Sequence, residues 1–312
     1  MLKKFILKSL LFILPCIGMY LFLFIAMLVD DDNYLFAYNK KIQILENTPQ
    51  PRIIFVGGSN IAFGIDSKTI SDSLHINIVN FGLHAGLGIR IPLEDCLLYA
   101  KQGDMVVMQF EYENFYSGGN GGKETLPIFM KCTNWEYINK LNLSQWVTLV
   151  EGIIADTHQH YISQLFDSGS DKNMDVSAKN MEYKYVASGF DEFGDEVSHL
   201  YCRSEICSIQ KTKTDKNVDM NFMKWLVNTI HKYEEKGIKV IMLPPVCVQS
   251  YYRNAYNDNI SVALKEIEYH YVVNPSYMVL DDSCYFNTGY HVNNYGVIQN
   301  TNHIINVLRE HL

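Results

Sequence analysis

Short apolar runs bounded by glycine, proline and polar residues alternate with amphipathic segments along most of this chain. Residues 53–56 form a β-branched run that ends in Gly57 and Gly58. Residues 67–74 follow with helical spacing, and Asp66 stands where a helix cap belongs. Residues 76–80 predict a second strand ending in Asn-Phe-Gly, 92–101 a helix, and 105–110 (MVVMQF) a third, apolar strand. Later, 222–236 is helical and stopped by Gly237, and 239–243 is a fourth strand halted by Pro244 and Pro245. A helix over 261–271, a fifth strand over 277–280 and a closing helix over 294–310 complete the pattern.

Strands that alternate with helices imply a parallel sheet covered on both faces, and continuous apolar runs suit strands buried on both sides. The predicted class is therefore α/β, a doubly wound parallel sheet of about five strands. Its site belongs at the strands' C-terminal ends. A large insertion, about 115–220, separates strands three and four. It contains SGGNGGK, a helical region over 135–166 and a polar stretch, of which 167–180 reads as a surface loop.

The N-terminus has its own pattern. Lys3, Lys4 and Lys8 precede about 20 apolar residues closed by Asp30, Asp31 and Asp32, enough to cross a hydrocarbon core of roughly 30 Å. The run is longer than a signal peptide's apolar region, AMLVDDD is a poor cleavage site, and Pro15 before Cys16 argues against a lipoprotein. The expectation is a basic cytoplasmic tail over 1–8, an uncleaved anchor over 9–29 and a linker or short helix over 30–50. The body, 51–312, then lies outside the membrane, either periplasmic or at the cell surface.

Composition narrows the partners. A chain of 312 residues supports one sizeable core, and a net charge of −8 with no basic stripe argues against nucleic acid. Seven cysteines show no zinc spacing, and the helical spacing of His158 and His160 points them apart, so no metal is expected. In an exported body Cys202 and Cys207, or Cys247 and Cys284, are close enough to pair. Trp135, Tyr137 and Trp146 are either sugar-stacking platforms or core.

Candidate chemistry centres on FVGGSNIAFG, residues 55–64. It lacks the lysine of a phosphate cradle, SGGNGGKE lacks that motif's first glycine, and Ile61 replaces the second glycine of a nucleophile elbow. Ser59 is left on a turn after a buried strand, as a nucleophile or as a turn residue. His291, in YFNTGYHVNNYG before the last helix, falls at the same sheet edge and is a candidate proton acceptor.

Taken together, FVGGSNIAFGID, VNFGLHAG and FNTGYHVNNYG resemble the first, second and last conserved blocks of the SGNH/GDSL hydrolase superfamily. The resemblance covers roughly 51–112 and 237–312 and implies a flavodoxin-like sheet. It implies Ser59 as nucleophile, His291 as general base and Gly82 as an oxyanion donor, with no cofactor. The anchor, the GGSN variant and the insertion look most like bacterial surface-polysaccharide proteins, such as alginate-type O-acetyltransferases and D-alanyl transfer proteins. A glycan substrate and a membrane acyl-donor protein are the implied partners. Two places depart from the pattern. Asn287 and Thr288 stand where the histidine's acidic partner belongs, which leaves Asn287 or an upstream acid, Asp281 or Asp282, to orient the ring, or else a Ser-His dyad. EYENF replaces the third block, so Asn60 or Asn114 supplies the side-chain oxyanion donor, and Glu111 or Glu113 is a candidate for binding a sugar hydroxyl or for acid/base work. A degenerate member, keeping the fold as a glycan-binding or assembly component, is the alternative.

Overall fold

Four of the apolar runs lie side by side in the computed structural model, which describes residues 2–166, 183–205, 209 and 217–312. They are β1 (Arg52–Gly57), β2 (Asn77–Asn80), β3 (Met105–Gln109) and β4 (Lys239–Met242), all parallel in the order β2-β1-β3-β4. Successive side chains of a strand point to opposite faces. Ile54, Val56, Val106 and Met108 accordingly join one core, while Ile53, Phe55, Met105 and Val107 join the other. Helices Arg90–Tyr99 and Met220–Glu235 pack on the first face, and Ser67–Leu74 and Asn294–His311 on the second. The expected Asp66 cap is present, its carboxylate accepting the Thr69 N–H at 2.8 Å. Gly237 ends its helix at φ +73°, where a side chain would be strained.

The predicted fifth strand does not join this sheet. Pro244 and Pro245 follow β4 and carry no N–H, so the ladder stops. The chain re-forms β5 (Cys247–Val248), which pairs in parallel with β6 (Val279–Leu280) as a separate two-stranded ladder. The cysteine pairing suggested for this edge is absent, since Cys247 and Cys284 are both free and buried. Cys202 is a free thiol, and its suggested partner Cys207 lies outside the described residues.

The segment 30–50, expected as a linker or short helix, contains a helix that packs into the body. Helix Ala37–Asn47 buries Tyr38, Lys41 and Leu45 on one face. Tyr38 donates to Asp95 at 2.6 Å, and Lys41 donates to the carbonyls of Asn80 (3.0 Å) and Gly194. Before it, helix Leu2–Ala26 is long and apolar enough to cross a membrane, and its side chains are largely exposed. In the insertion, helix Leu143–Phe166 carries His158 and His160, and the suggested surface loop 167–180 lies outside the described residues.

Candidate active site

β1 lies between β2 and β3, so the strand order reverses beside it and a crevice opens at its C-terminal end. Gly57 is the last residue of β1 and pairs with Gln109 at the end of β3. Two residues beyond this pair stand Ser59 on one strand's exit and Glu111 on the other's. A Cβ on Gly57 would come within 2.3 Å of the Gln109 carbonyl oxygen, and one on Gly58 within 2.7 Å of Glu111 Oε1. The two glycines let the strand ends approach closely enough for Ser59 Oγ to donate to Glu111 Oε1 at 2.9 Å. The Asn60 N–H donates to the same oxygen at 3.2 Å.

Glu111 is buried, and its carboxyl is pushed up to about 7. Desolvation is the main cause and the charge of Glu113 adds to it, against the lowering effect of the bonds from Ser59 and Asn60. Glu113 is itself held in place, accepting Tyr251 OH and Tyr290 OH at 2.6 Å each.

His291 reaches the same place from the opposite end of the chain. Ser59 and Phe63 are one helical turn apart and share a face, and the His291 ring lies flat on Phe63 with centroids 4.0 Å apart. His291 Nδ1 sits 2.8 Å from Asn287 Oδ1, while Asn287 Nδ2 donates to Tyr185 OH at 2.9 Å. With the amide oxygen accepting, Nδ1 carries the hydrogen and Nε2 keeps its lone pair. Nε2 has no hydrogen-bond partner among the described residues. Burial, with smaller contributions from His199 and His84, lowers His291 to about 3, so the ring is neutral at physiological pH.

Ser59, Glu111, Asn114, Tyr185, Tyr290 and His291 line one cavity of about 530 Å³. Asn114 Nδ2 makes a long bond to the Glu111 carbonyl, at 3.3 Å. The remaining candidates have other employment. The Gly82 N–H donates to Asn80 Oδ1 at 3.0 Å in this structure. The Asn60 side chain clamps the turn instead, accepting from Gly58 N at 3.2 Å and donating to the Gln109 carbonyl at 3.1 Å. Asp282 accepts from the Ser250 N–H at 2.8 Å and from its hydroxyl, and Asp281 caps its own turn through Ser283. Neither is the partner of His291 Nδ1, a place taken by Asn287. Tyr137 donates to Asp95, and Trp135 and Trp146 lie along the N-terminal helix, so no aromatic of that trio lines the cavity.

Tyr185, Phe63 and Tyr251 were not legible as site residues. Tyr185 sits in the insertion, Phe63 reaches the site through packing, and Tyr251 through its bond to Glu113. Tyr290, next to His291, carried the one local signal. No family model, curated protein or solved structure matches the chain.

Gly82 matters for shape. A Cβ there would meet Ile61 Cβ at 2.6 Å and the Gly58 carbonyl oxygen at 2.7 Å, both in the turn that presents Ser59. Gly82→Ala is expected to cost about 1–3 kcal/mol in urea unfolding, as overpacking of a filled site does. Unchanged stability would refute the tight fit of Gly82 against the turn.

Proposed function

We propose that the chain is a membrane-anchored, extracytoplasmic serine acyl-ester enzyme of the SGNH type. In this reading it moves an acyl group, most simply acetyl, to or from a hydroxyl of a cell-surface glycan. The single observation that carries the reading is the Ser59–Glu111 hydrogen bond inside the cavity that His291 also lines. The strand order 2-1-3-4 also matches the first four strands of a flavodoxin-like sheet, whose switch point lies where Ser59 stands. The lysines in the first turns of the apolar helix and the aspartates after it favour a cytoplasmic N-terminus.

The proton acceptor is decided by reach and basicity together. Glu111 is 2.9 Å from Ser59 Oγ and titrates near 7. His291 at about 3 holds a proton poorly, which makes it a hydrogen-bond acceptor for an incoming hydroxyl. In this mechanism Ser59 Oγ attacks the ester carbonyl and its proton passes to Glu111. The ester C–O bond then breaks, and Glu111 returns the proton to the departing oxygen. A glycan hydroxyl or water, held by a second O–H bonded to His291 Nε2, attacks the acyl-serine, and its own proton passes to Glu111. The bond from the acyl carbon to Ser59 Oγ breaks, and Glu111 returns the proton to Oγ. Protonated Glu111 binds the Asn60 N–H less strongly, which frees that donor for the oxyanion.

The test is labelling of the full chain in detergent with a serine-directed phosphonate. Labelling is expected at Ser59 and is expected to vanish in Ser59→Ala. A folded wild-type protein that takes no label rejects the enzyme reading. One observation favours the second reading, a non-catalytic glycan-binding component: in the resting site Glu111 already occupies the Asn60 N–H, and Gly82 is tied to Asn80. Glycan binding without labelling is the result that would select it.

A further inference from the structure

Helix Leu143–Phe166 has two apolar faces, and folding uses only one of them. Gln145, Leu149, Ile153 and Thr157 are buried on one side of the helix, Leu149 and Ile153 at the edge it shares with a groove beside the N-terminal helix. Gly152 lets the helix press on the segment before it, since a Cβ there would come within 2.1 Å of the Lys123 carbonyl oxygen. The other face carries Leu143, Trp146, Val147, Val150 and Ile154, an i, i+3, i+4, i+7, i+11 stripe between 39% and 82% exposed. Soluble proteins rarely leave such a stripe open unless something covers it.

A groove of about 760 Å³ runs between this helix and the N-terminal helix Leu2–Ala26. Phe12, Ile17 and Leu21 form one wall, and Trp146, Val150 and Ile154 stand on the other. No Asp, Glu, Lys, Arg or His lines it. Beyond the groove, at the C-terminal end of the N-terminal helix, the contacts turn polar. Tyr161 OH donates to the Leu23 carbonyl at 3.1 Å, and Lys131 Nζ donates to the Met27 carbonyl at 2.9 Å while lying over the Phe24 ring. Polarity is therefore ordered along the N-terminal helix, apolar beside residues 12–21 and charged past residue 23. That is the order from hydrocarbon to headgroup.

We propose that a phospholipid acyl chain occupies this groove, so that helix Leu143–Phe166 docks into the same bilayer as the N-terminal helix. The proposal rests on the reading of Leu2–Ala26 as a membrane span. Helices that associate inside a membrane approach through Gly, Ala and Ser, and none of these lines the groove. Its walls are large aromatic and branched side chains that leave an irregular channel, which a flexible chain fills and a second helix does not. Trp135 and Trp146 contribute to the lining, the residue type that bilayers collect near their interface. The insertion then acts as a membrane-docking element that fixes the body against the lipid surface.

The test uses the full chain reconstituted in phosphatidylcholine vesicles, with acyl chains either plain or brominated. Two single-tryptophan proteins are compared, one keeping Trp146 and one keeping Trp225 on the far helix Met220–Glu235, the others changed to Phe. Brominated chains are expected to remove most of the Trp146 emission and little of that from Trp225. A second, tryptophan-independent measurement is a nitroxide on Val150→Cys in a chain with Cys16→Ser, expected to be more accessible to oxygen than to a water-soluble nickel chelate. Flotation of the vesicles separates the two ideas. Protein that floats but shows equal quenching at both tryptophans overturns the groove proposal and leaves the span standing. Protein that fails to float overturns both.

Discussion

Glu111→Gln is expected to slow acylation of Ser59 by about 10²–10⁴-fold, the usual contribution of a positioned general base, while making the protein more stable at alkaline pH. The two effects have one cause. In the folded chain Glu111 titrates near 7 against 4.5 for a free side chain. Between those values the native state holds a proton that the unfolded chain has released. The resulting stabilisation is full below pH 4.5 and disappears as pH rises through 7. Above 7 the ionised carboxylate is buried at a cost on the order of 3 kcal/mol relative to the unfolded chain, from a shift of about 2.5 pH units. Glutamine keeps an oxygen for the Ser59 and Asn60 donors and removes the charge. Thermal melts at pH 4 should therefore coincide for the two proteins, and at pH 8 the variant should melt higher. Wild-type acylation should rise with pH through about 7 and then level off. His291→Gln should lower the rate of acyl transfer to an added hydroxyl more than the rate of acylation itself. A variant Glu111→Gln with undiminished phosphonate labelling would remove Glu111 from the mechanism.

Asp104→Ala is expected to cost about 3–5 kcal/mol, the range for breaking a buried ion pair, out of a total stability of about 5–15 kcal/mol. Arg52 and Asp104 are both fully buried, with Nε 3.0 Å from Oδ2. Asp104 also accepts from the Lys101 N–H and from Gln50 Nε2, each at 2.8 Å. Removing it leaves the Arg52 guanidinium charged and uncompensated at the start of β1. The double variant Arg52→Met with Asp104→Leu removes both charges but should recover only part of the loss. Arg52 also donates to the carbonyls of Leu45, Thr48 and Tyr99, which would be left without it. Urea unfolding of the single and double variants measures both quantities. A single variant within 1 kcal/mol of wild type (about the cost of an ordinary surface change) would contradict the assignment.

How much could be read before the structure differs from element to element. β1, β3 and the helix over Ser67–Leu74 announce themselves by local pattern, because an apolar run or a capped helix is a property of neighbouring residues. Helix Ala37–Asn47 was legible only as one of two options for 30–50, since it is polar on average and buries Ala37, Tyr38, Lys41 and Leu45, with Lys41 satisfied by carbonyls far away in sequence. The segment 277–280 looked like a fifth strand, yet the prolines after β4 left it only β5 to pair with. At the site, Ser59, His291 and Asn287 were legible as turn and loop residues at one sheet edge. Glu111 was legible only as an acid at a strand end, with several possible uses.

The sequence by itself determined the alternation of strands and helices, the apolar N-terminal helix, and the placing of Ser59 and His291 at the same edge of a parallel sheet. Those are consequences of periodicity and of chain direction. The tertiary structure decided that Glu111, and not His291, holds the Ser59 hydroxyl, that Asn287 sets the imidazole tautomer, and that Gly82 bonds to Asn80 while its missing side chain makes room for the turn. The strand register that sets Gly57 beside Gln109 brings Ser59 to Glu111. Burial then raises the carboxyl and lowers the imidazole. Register and desolvation belong to the packed chain as a whole, which is why no stretch of residues carried them alone.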